Sequence, residues 1–117
     1  MRILIADDNP QVRSAVRQLL SAQADWEVCG EASSGPQTIA KVQELKPDLV
    51  LLDVSMPVLD GFATARAIRG ENSQTKILIV SHSEVSELLP AALEAGANAC
   101  LDKAQIGREL IGTIREL

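Results

Sequence analysis

Five side chains able to do chemistry stand at or just beyond the ends of short apolar runs in this sequence. In chain order they are Asp7 and Asp8 after residues 2–6, Asp53 after 49–52, Ser81 after 76–80 and Lys103 beyond 98–101. Three carboxylates gathered in one place would repel each other, and a hard divalent cation, here expected to be Mg²⁺, would relieve that repulsion. A hydroxyl donor and a compact positive charge beside them complete a set suited to handling phosphate.

The apolar runs alternate with amphipathic segments, and the alternation predicts the fold. We interpret residues 2–6, 27–32, 49–52, 76–80 and 98–101 as strands. Apolar spacing of three and four predicts helices from Pro10 to before Trp26, from Ser34 to Leu45, from Phe62 to near Gly70, over 85–93 and over 106–117. Strict alternation indicates an α/β fold, a doubly wound five-stranded parallel sheet of flavodoxin-like order 2-1-3-4-5 with helices on both faces.

That strand order predicts where a ligand would bind. In open α/β sheets the binding crevice lies at the carboxyl ends of the strands, where the strand order reverses. Here that point lies between strands 1 and 3, which end at Asp7, Asp8 and Asp53. Strands 4 and 5 bring Ser81 and Lys103 to the same edge.

Each residue taken alone also has an ordinary explanation. Asp8 or Asn9 would cap the first helix, and Ser81 would cap the fourth. Asp53 alone would be a solvated loop carboxylate, and Lys103 alone a surface lysine. Four separate strand ends that all carry groups needed by one phosphate site favour the functional interpretation.

Composition limits the other possibilities. The length of 117 residues predicts one domain covering 1–117. The net charge of −5 and only two aromatic residues argue against nucleic-acid binding by this chain. Cys29 and Cys100 lack partners at metal-ligand spacing and are interpreted as reduced packing residues. No membrane-spanning or export segment is indicated, so a cytoplasmic location is expected.

Four motifs give the sequence a specific resemblance. The segments LIADDNP, LLLDVSMPVLDG, ILIVS and GANACLDK resemble the receiver domain of bacterial two-component response regulators. The resemblance covers essentially all 117 residues and is greatest to the subgroup that precedes a helix-turn-helix DNA-binding domain. It implies a phosphorylation-switched signalling domain with a phosphoacceptor aspartate and a bound Mg²⁺.

The resemblance also implies a role for each matching residue. Asp53 would accept the phosphoryl group, Asp8 would bind Mg²⁺ directly, Asp7 would order a water on the metal, and the Ser55 carbonyl would complete the protein ligands. Ser81 would be the switch hydroxyl, Lys103 would contact the phosphate, and Pro57 and Gly61 would shape the loop after the acceptor. The protein would be a phosphoacceptor with self-catalysed phosphotransfer and dephosphorylation, and not an enzyme acting on a separate substrate.

The implied partners follow from the same family. A sensor histidine kinase would donate the phosphoryl group, and phosphorylation would pull the fourth and fifth βα loops inward. DNA would be reached only through an output domain that this chain does not contain. A homodimer through the fourth and fifth elements stays open.

The sequence departs from the family pattern at Cys100, because many receivers carry Tyr or Phe three residues before the lysine. The strongest alternative is therefore a receiver fold that acts as a protein-interaction module without phosphorylation. A haloacid-dehalogenase-type phosphatase is disfavoured because Ser55 replaces its second aspartate. A flavodoxin-like flavin carrier is disfavoured because two acids, Asp7 and Asp8, occupy the place of its phosphate-binding loop.

Overall fold

The computed structural model describes all 117 residues, Met1–Leu117, as five strands and five helices in strict alternation. The strands are β1 (Arg2–Ala6), β2 (Glu27–Ala32), β3 (Leu49–Asp53), β4 (Lys76–Ser81) and β5 (Ala99–Asp102). The helices are α1 (Pro10–Ser21), α2 (Gly35–Leu45), α3 (Gly61–Glu71), α4 (Val85–Glu94) and α5 (Ile106–Arg115). A 3₁₀ turn, Lys103–Gln105, links β5 to α5.

All strands are parallel, and their order is β2-β1-β3-β4-β5, which confirms the predicted topology. The order reverses between β1 and β3, where Ala6 pairs with Leu52. The residues that follow this pair, Asp7 and Asp53, therefore lie side by side at the carboxyl edge of the sheet. Asp53 itself still pairs with Val80 of β4.

Alternate residues of each strand feed two separate hydrophobic cores. Ile3 and Ile5 of β1 pack on the face covered by α1 and α5, whereas Leu4 and Ala6 pack on the face covered by α2, α3 and α4. Every residue of β3 is buried, as expected for a central parallel strand with helices on both sides. The strand that delivers Asp53 is therefore held rigidly from both faces.

The start of α1 shows which residue caps the first helix, for which the sequence offered Asp8 and Asn9. Asn9 caps this helix, because its side-chain oxygen accepts hydrogen bonds from the backbone N–H groups of Gln11 at 2.9 Å and Val12 at 3.4 Å. Pro10 occupies the first helical position, where its missing N–H costs nothing. Since Asn9 does the capping, the Asp8 carboxylate is left for another role.

Several predicted boundaries were wrong by a residue or two. β5 begins at Ala99 and not at Asn98, because the Asn98 amide oxygen accepts bonds from the Ile77 N–H and from Arg69. The predicted end of α2 at Leu45 is confirmed, and Lys46 beyond it adopts a left-handed conformation with φ of 48°. α3 continues through Gly70 to Glu71 and ends where Asn72 turns the chain.

The two cysteines are free, and both lie on strands. Cys100 is buried against the core beneath α4, and the half-buried Cys29 thiol donates to the Ile3 carbonyl at 3.4 Å. Burial raises the pKa of both thiols, which keeps them protonated at neutral pH. Their interpretation as packing residues is thus supported. No helix in the structure combines the length and apolar character needed to cross a membrane.

Candidate functional site

The acidic cluster predicted from the sequence is present at the carboxyl edge of the sheet. One carboxylate oxygen from each of Asp7, Asp8 and Asp53 lies within 4.8 Å of the other two. Asp7 and Asp53 are buried, with 4% and 3% of their surface exposed, whereas Asp8 is exposed. The cluster is therefore accessible to solvent at Asp8.

Lys103 supplies the positive charge at this cluster. Its Nζ lies 2.8 Å from Asp7 Oδ2 and 3.5 Å from Asp53 Oδ2, and only 10% of its side chain is exposed. Because β4 separates β5 from β3, the long lysine side chain has to cross a strand to reach these carboxylates. Burial alone would lower the pKa of Lys103, but the two carboxylates outweigh it and raise the pKa above its ordinary value. The lysine is therefore charged at neutral pH.

Asp53 lies in an environment that opposes its charge. Burial, and then the neighbouring Asp7 charge, raises the pKa of Asp53, although the Ser55 N–H at 3.3 Å and Lys103 act in the opposite direction. Three carboxylates and one ammonium leave a formal charge of −2 at the cluster when all are ionised. A divalent cation would balance that charge, and the donor set of oxygens suits a hard ion.

The raised pKa of Asp53 predicts a pH-dependent gain in stability for Asp53→Asn in metal-free buffer. Below the unfolded-state pKa the residue is protonated in both states and costs nothing, whereas above the folded-state pKa its charge destabilises the fold. We expect Asp53→Asn to raise the free energy of unfolding at pH 7, and this gain to disappear at acidic pH, where the Asp53 carboxyl is protonated in both the folded and the unfolded state. Urea unfolding at pH 7 and pH 3 measures it; a gain of equal size at both values would contradict the electrostatic cause.

Ser81 is the last residue of β4 and lies one position beyond Val80, the partner of Asp53. It is buried, and its hydroxyl oxygen accepts a bond from the Ser83 N–H at 3.2 Å. The alternative that Ser81 caps the fourth helix is wrong, because α4 begins after Glu84. Ser81 is thus on the same edge as the acidic cluster. His82, beside it, is exposed.

The loop after Asp53 contains a feature that the sequence did not reveal. The Leu59 N–H donates to the Pro57 carbonyl at 2.9 Å, which closes a three-residue γ-turn around Val58 with φ of +72°. A β-branched residue is unfavourable in this region, and no sequence signal marks it. Val58 is also 88% exposed. The turn directs the chain back toward Gly61, which packs directly on the backbone of Asp53 and Val54.

A second feature missed from the sequence is a cluster of charged side chains next to the loop that carries Asp7 and Asp8. Arg13 and Arg17 of α1 both contact Glu31 of β2, at 2.9 and 2.7 Å, and Arg13 also donates to the Asp7 carbonyl at 2.7 Å. Their only sequence signal is the four-residue spacing of the two arginines along α1.

Comparisons with known proteins agree with this geometry. Residues 3–115 match the family described as the response regulator receiver domain. The transcriptional regulatory proteins YhcZ and YxjL of Bacillus subtilis are 41% identical over 114 residues and 38% identical over 115 residues. These alignments cover 97% and 98% of this chain and 53% of each relative, so the chain spans about half the length of these curated relatives.

A solved structure gives the same result for the fold. The crystal structure of a two-component response regulator of the LuxR family from Aurantimonas sp. superposes with a TM-score of 0.93 at 30% identity. The match covers 98% of this chain and 82% of that chain. Sequence match, fold and the position of the acidic cluster therefore agree, and the chain belongs to the response regulator receiver domain family.

Proposed function

We propose that this domain is a signalling switch that accepts a phosphoryl group on Asp53. The observation that carries the proposal is the burial of Asp53 among Asp7, Asp8 and Lys103, where charge is balanced only if a cation is added. Buried, closely spaced carboxylates destabilise a fold, and such groups are typical of functional sites. Membership of the receiver family supports the same role.

Mg²⁺ is the proposed ion at the acidic cluster. The donors are carboxylate oxygens, with no nitrogen or sulfur ligand among them, which favours a hard cation. Asp8 and Asp53 would bind it with the Ser55 carbonyl, and Asp7 would order a water on it. When bound, the ion would neutralise phosphoryl oxygens and hold them near Asp53.

The proposed reaction transfers a phosphoryl group from an oxygen or nitrogen atom of the donor to a carboxylate oxygen of Asp53. An Asp53 carboxylate oxygen attacks the phosphorus of the donor, a new P–O bond forms, and the bond to the leaving group breaks. The electron pair leaves with acetate when acetyl phosphate is the donor, or with imidazole when a phosphohistidine is the donor. Lys103, already 3.5 Å from Asp53, would balance the charge of the transferred group.

The switch would act through Ser81 and Lys103. After transfer, the three phosphoryl oxygens would accept hydrogen bonds from the Ser81 hydroxyl and the Lys103 ammonium, and the β4–α4 and β5–α5 loops would move inward. Converting a mostly inactive population into a mostly active one requires about 5 kcal/mol, which is within reach of a few charge-assisted bonds.

The partners are proposed from the family and from the relatives. A sensor histidine kinase would donate the phosphoryl group in the cytoplasm. The names of YhcZ and YxjL indicate transcriptional regulation, and this chain spans about half of their length. We therefore propose a DNA-binding output domain as the receiver of the signal in the whole protein.

The test is incubation with Mg²⁺ and acetyl phosphate, followed by intact mass measurement. We expect one phosphoryl adduct on the parent chain and none on Asp53→Asn, because the amide cannot attack phosphorus. Asp25→Asn makes the same chemical change at an exposed position and should label like the parent. Equal labelling of the parent and Asp53→Asn would show that Asp53 is not the phosphoacceptor.

The second candidate is an interaction module that works without phosphorylation. The observation that favours it is the buried Cys100 at the position where many receivers have an aromatic switch residue. The same experiment separates the two functions, because a module of this kind would show no adduct on the parent chain with Mg²⁺ present.

A further inference from the structure

An arginine side chain of α1 contacts the backbone of the loop that carries Asp7 and Asp8. Arg13 lies in the second turn of α1, and its Nη1 donates to the Asp7 backbone carbonyl at 2.7 Å. Its Nε donates to Glu31 at 2.9 Å, and Glu31 also accepts from Arg17 at 2.7 Å. One guanidinium thus connects the acidic loop to β2.

The sheet holds Glu31, the acceptor of this connection, in place. Glu31 belongs to β2, where it pairs with Ile5 of β1. Although burial acts to raise the pKa of Glu31, hydrogen bonds from Arg17 and Arg13 hold it below its ordinary value, so the carboxylate is charged at neutral pH. A charged acceptor held by two arginines fixes the plane of the Arg13 guanidinium.

The loop side decides where the Asp8 carboxylate points. The Asp7 carbonyl belongs to the planar peptide that joins Asp7 to Asp8, so fixing the carbonyl fixes the whole peptide plane. The Asp7 N–H is also fixed, because it donates to the Ala32 carbonyl at 3.0 Å. Asp8 is exposed, so side-chain packing does not hold its carboxylate, and the orientation of its backbone limits the directions that the carboxylate can take.

We propose that Arg13 is a positioning residue for metal binding, which holds the Asp7–Asp8 peptide so that the Asp8 carboxylate faces Asp53. This inference rests on the proposed function, since it assumes that the acidic cluster binds Mg²⁺. Arg13 acts through the loop and does not touch the metal or the phosphoryl group. Groups that orient metal ligands in this way typically change metal affinity by about 10- to 100-fold when they are removed.

Positioning and simple electrostatics predict opposite results for Arg13→Met. Removing a positive charge close to a cation site would by itself tighten Mg²⁺ binding. Losing the orientation of Asp8 would weaken it. We expect Mg²⁺ affinity, measured by isothermal titration calorimetry, to fall about tenfold in Arg13→Met. Arg13→Lys keeps the charge but cannot span both acceptors, and its affinity should also fall.

Two matched variants separate this role from general damage. Arg17 also contacts Glu31 but does not reach the acidic loop. Arg17→Met makes the same charge change on the same helix, and its Mg²⁺ affinity should stay within about twofold of the parent. Arg69 joins backbone carbonyls of Gly96 and Asn72 elsewhere in the fold. Arg69→Met should lower stability in urea and leave Mg²⁺ affinity unchanged.

The outcomes distinguish this inference from the proposed function. If the parent binds Mg²⁺ and both Arg13 variants bind it equally well or more tightly, the positioning role is wrong while the metal site stands. The role is also wrong if Arg17→Met weakens binding as much as Arg13→Met does. If the parent itself does not bind Mg²⁺, the metal site and the positioning role both fail.

Discussion

Lys103→Met is expected to lower the free energy of unfolding of the metal-free protein by about 2 to 3 kcal/mol at pH 7. The substitution removes the ammonium that lies 2.8 Å from Asp7 and 3.5 Å from Asp53 and leaves two buried carboxylates without a cation. Breaking a fully buried ion pair costs about 3 to 5 kcal/mol. The loss expected for Lys103→Met is smaller because the cluster is accessible to solvent at Asp8.

Urea unfolding with and without Mg²⁺ measures this effect. A bound divalent cation would replace the missing positive charge, so added Mg²⁺ should recover more stability in Lys103→Met than in the parent. Lys76→Met is the matched control, because Lys76 is exposed at the start of β4, and it should change stability by less than about 0.5 kcal/mol. Equal losses in the two lysine variants would contradict the proposed electrostatics of the cluster.

The cost of Lys103→Met should also depend on Asp53. In an Asp53→Asn background one of the two stranded charges is already absent, so removing Lys103 should cost less. The coupling in this double-mutant cycle is expected to be about 1 kcal/mol. A coupling of zero would mean that Lys103 interacts with Asp7 alone.

Gly61→Ala is expected to destabilise the domain by about 2 to 3 kcal/mol and to slow labelling by acetyl phosphate. A Cβ at position 61 would lie 2.6 Å from Val54 Cα and 2.7 Å from the Asp53 carbonyl oxygen. These are backbone atoms, and they cannot move without shifting the acceptor itself. The start of α3 therefore has to withdraw from β3, or Asp53 has to leave its place beside Lys103.

Gly70→Ala provides the matched control in the same helix. A Cβ at Gly70 would meet no atom within 4 Å, and alanine favours the helix, so this variant should gain up to about 1 kcal/mol. Thermal unfolding of the two variants should give shifts of opposite sign, and only Gly61→Ala should change the labelling rate. Shifts of the same sign would show that Gly61 is not packed on the acceptor backbone as described.

The fold and the acidic cluster could be predicted because both follow from regular patterns. Short apolar runs predicted the strands, period-3.6 apolar spacing predicted the helices, and their strict alternation predicted the sheet order. Parallel strands place their carboxyl ends on one edge, so Asp7, Asp8 and Asp53 could be placed together from sequence alone. The resemblance to receivers then gave each residue a role.

The remaining features depend on side-chain directions that no local pattern encodes. The contact of Arg13 with Glu31 joins residues 18 positions apart on a helix and a strand, and periodicity does not predict such pairs. The left-handed φ of Val58 opposes the preference of valine, so propensity points the other way. The first residue of β5 was predicted incorrectly because Asn98 holds the preceding turn against β4, with its N–H on the Ile77 carbonyl and its side-chain oxygen on the Ile77 N–H.

The measurement that tests the central claim most directly identifies the phosphorylated residue. The parent chain is treated with acetyl phosphate and Mg²⁺, reduced with sodium borohydride, which converts an aspartyl phosphate to homoserine, and digested for peptide mass mapping. We predict homoserine at position 53 and at no other aspartate, and none when Mg²⁺ is replaced by a chelator. Homoserine at Asp7, Asp8 or Asp60 with an unchanged Asp53 would contradict the account.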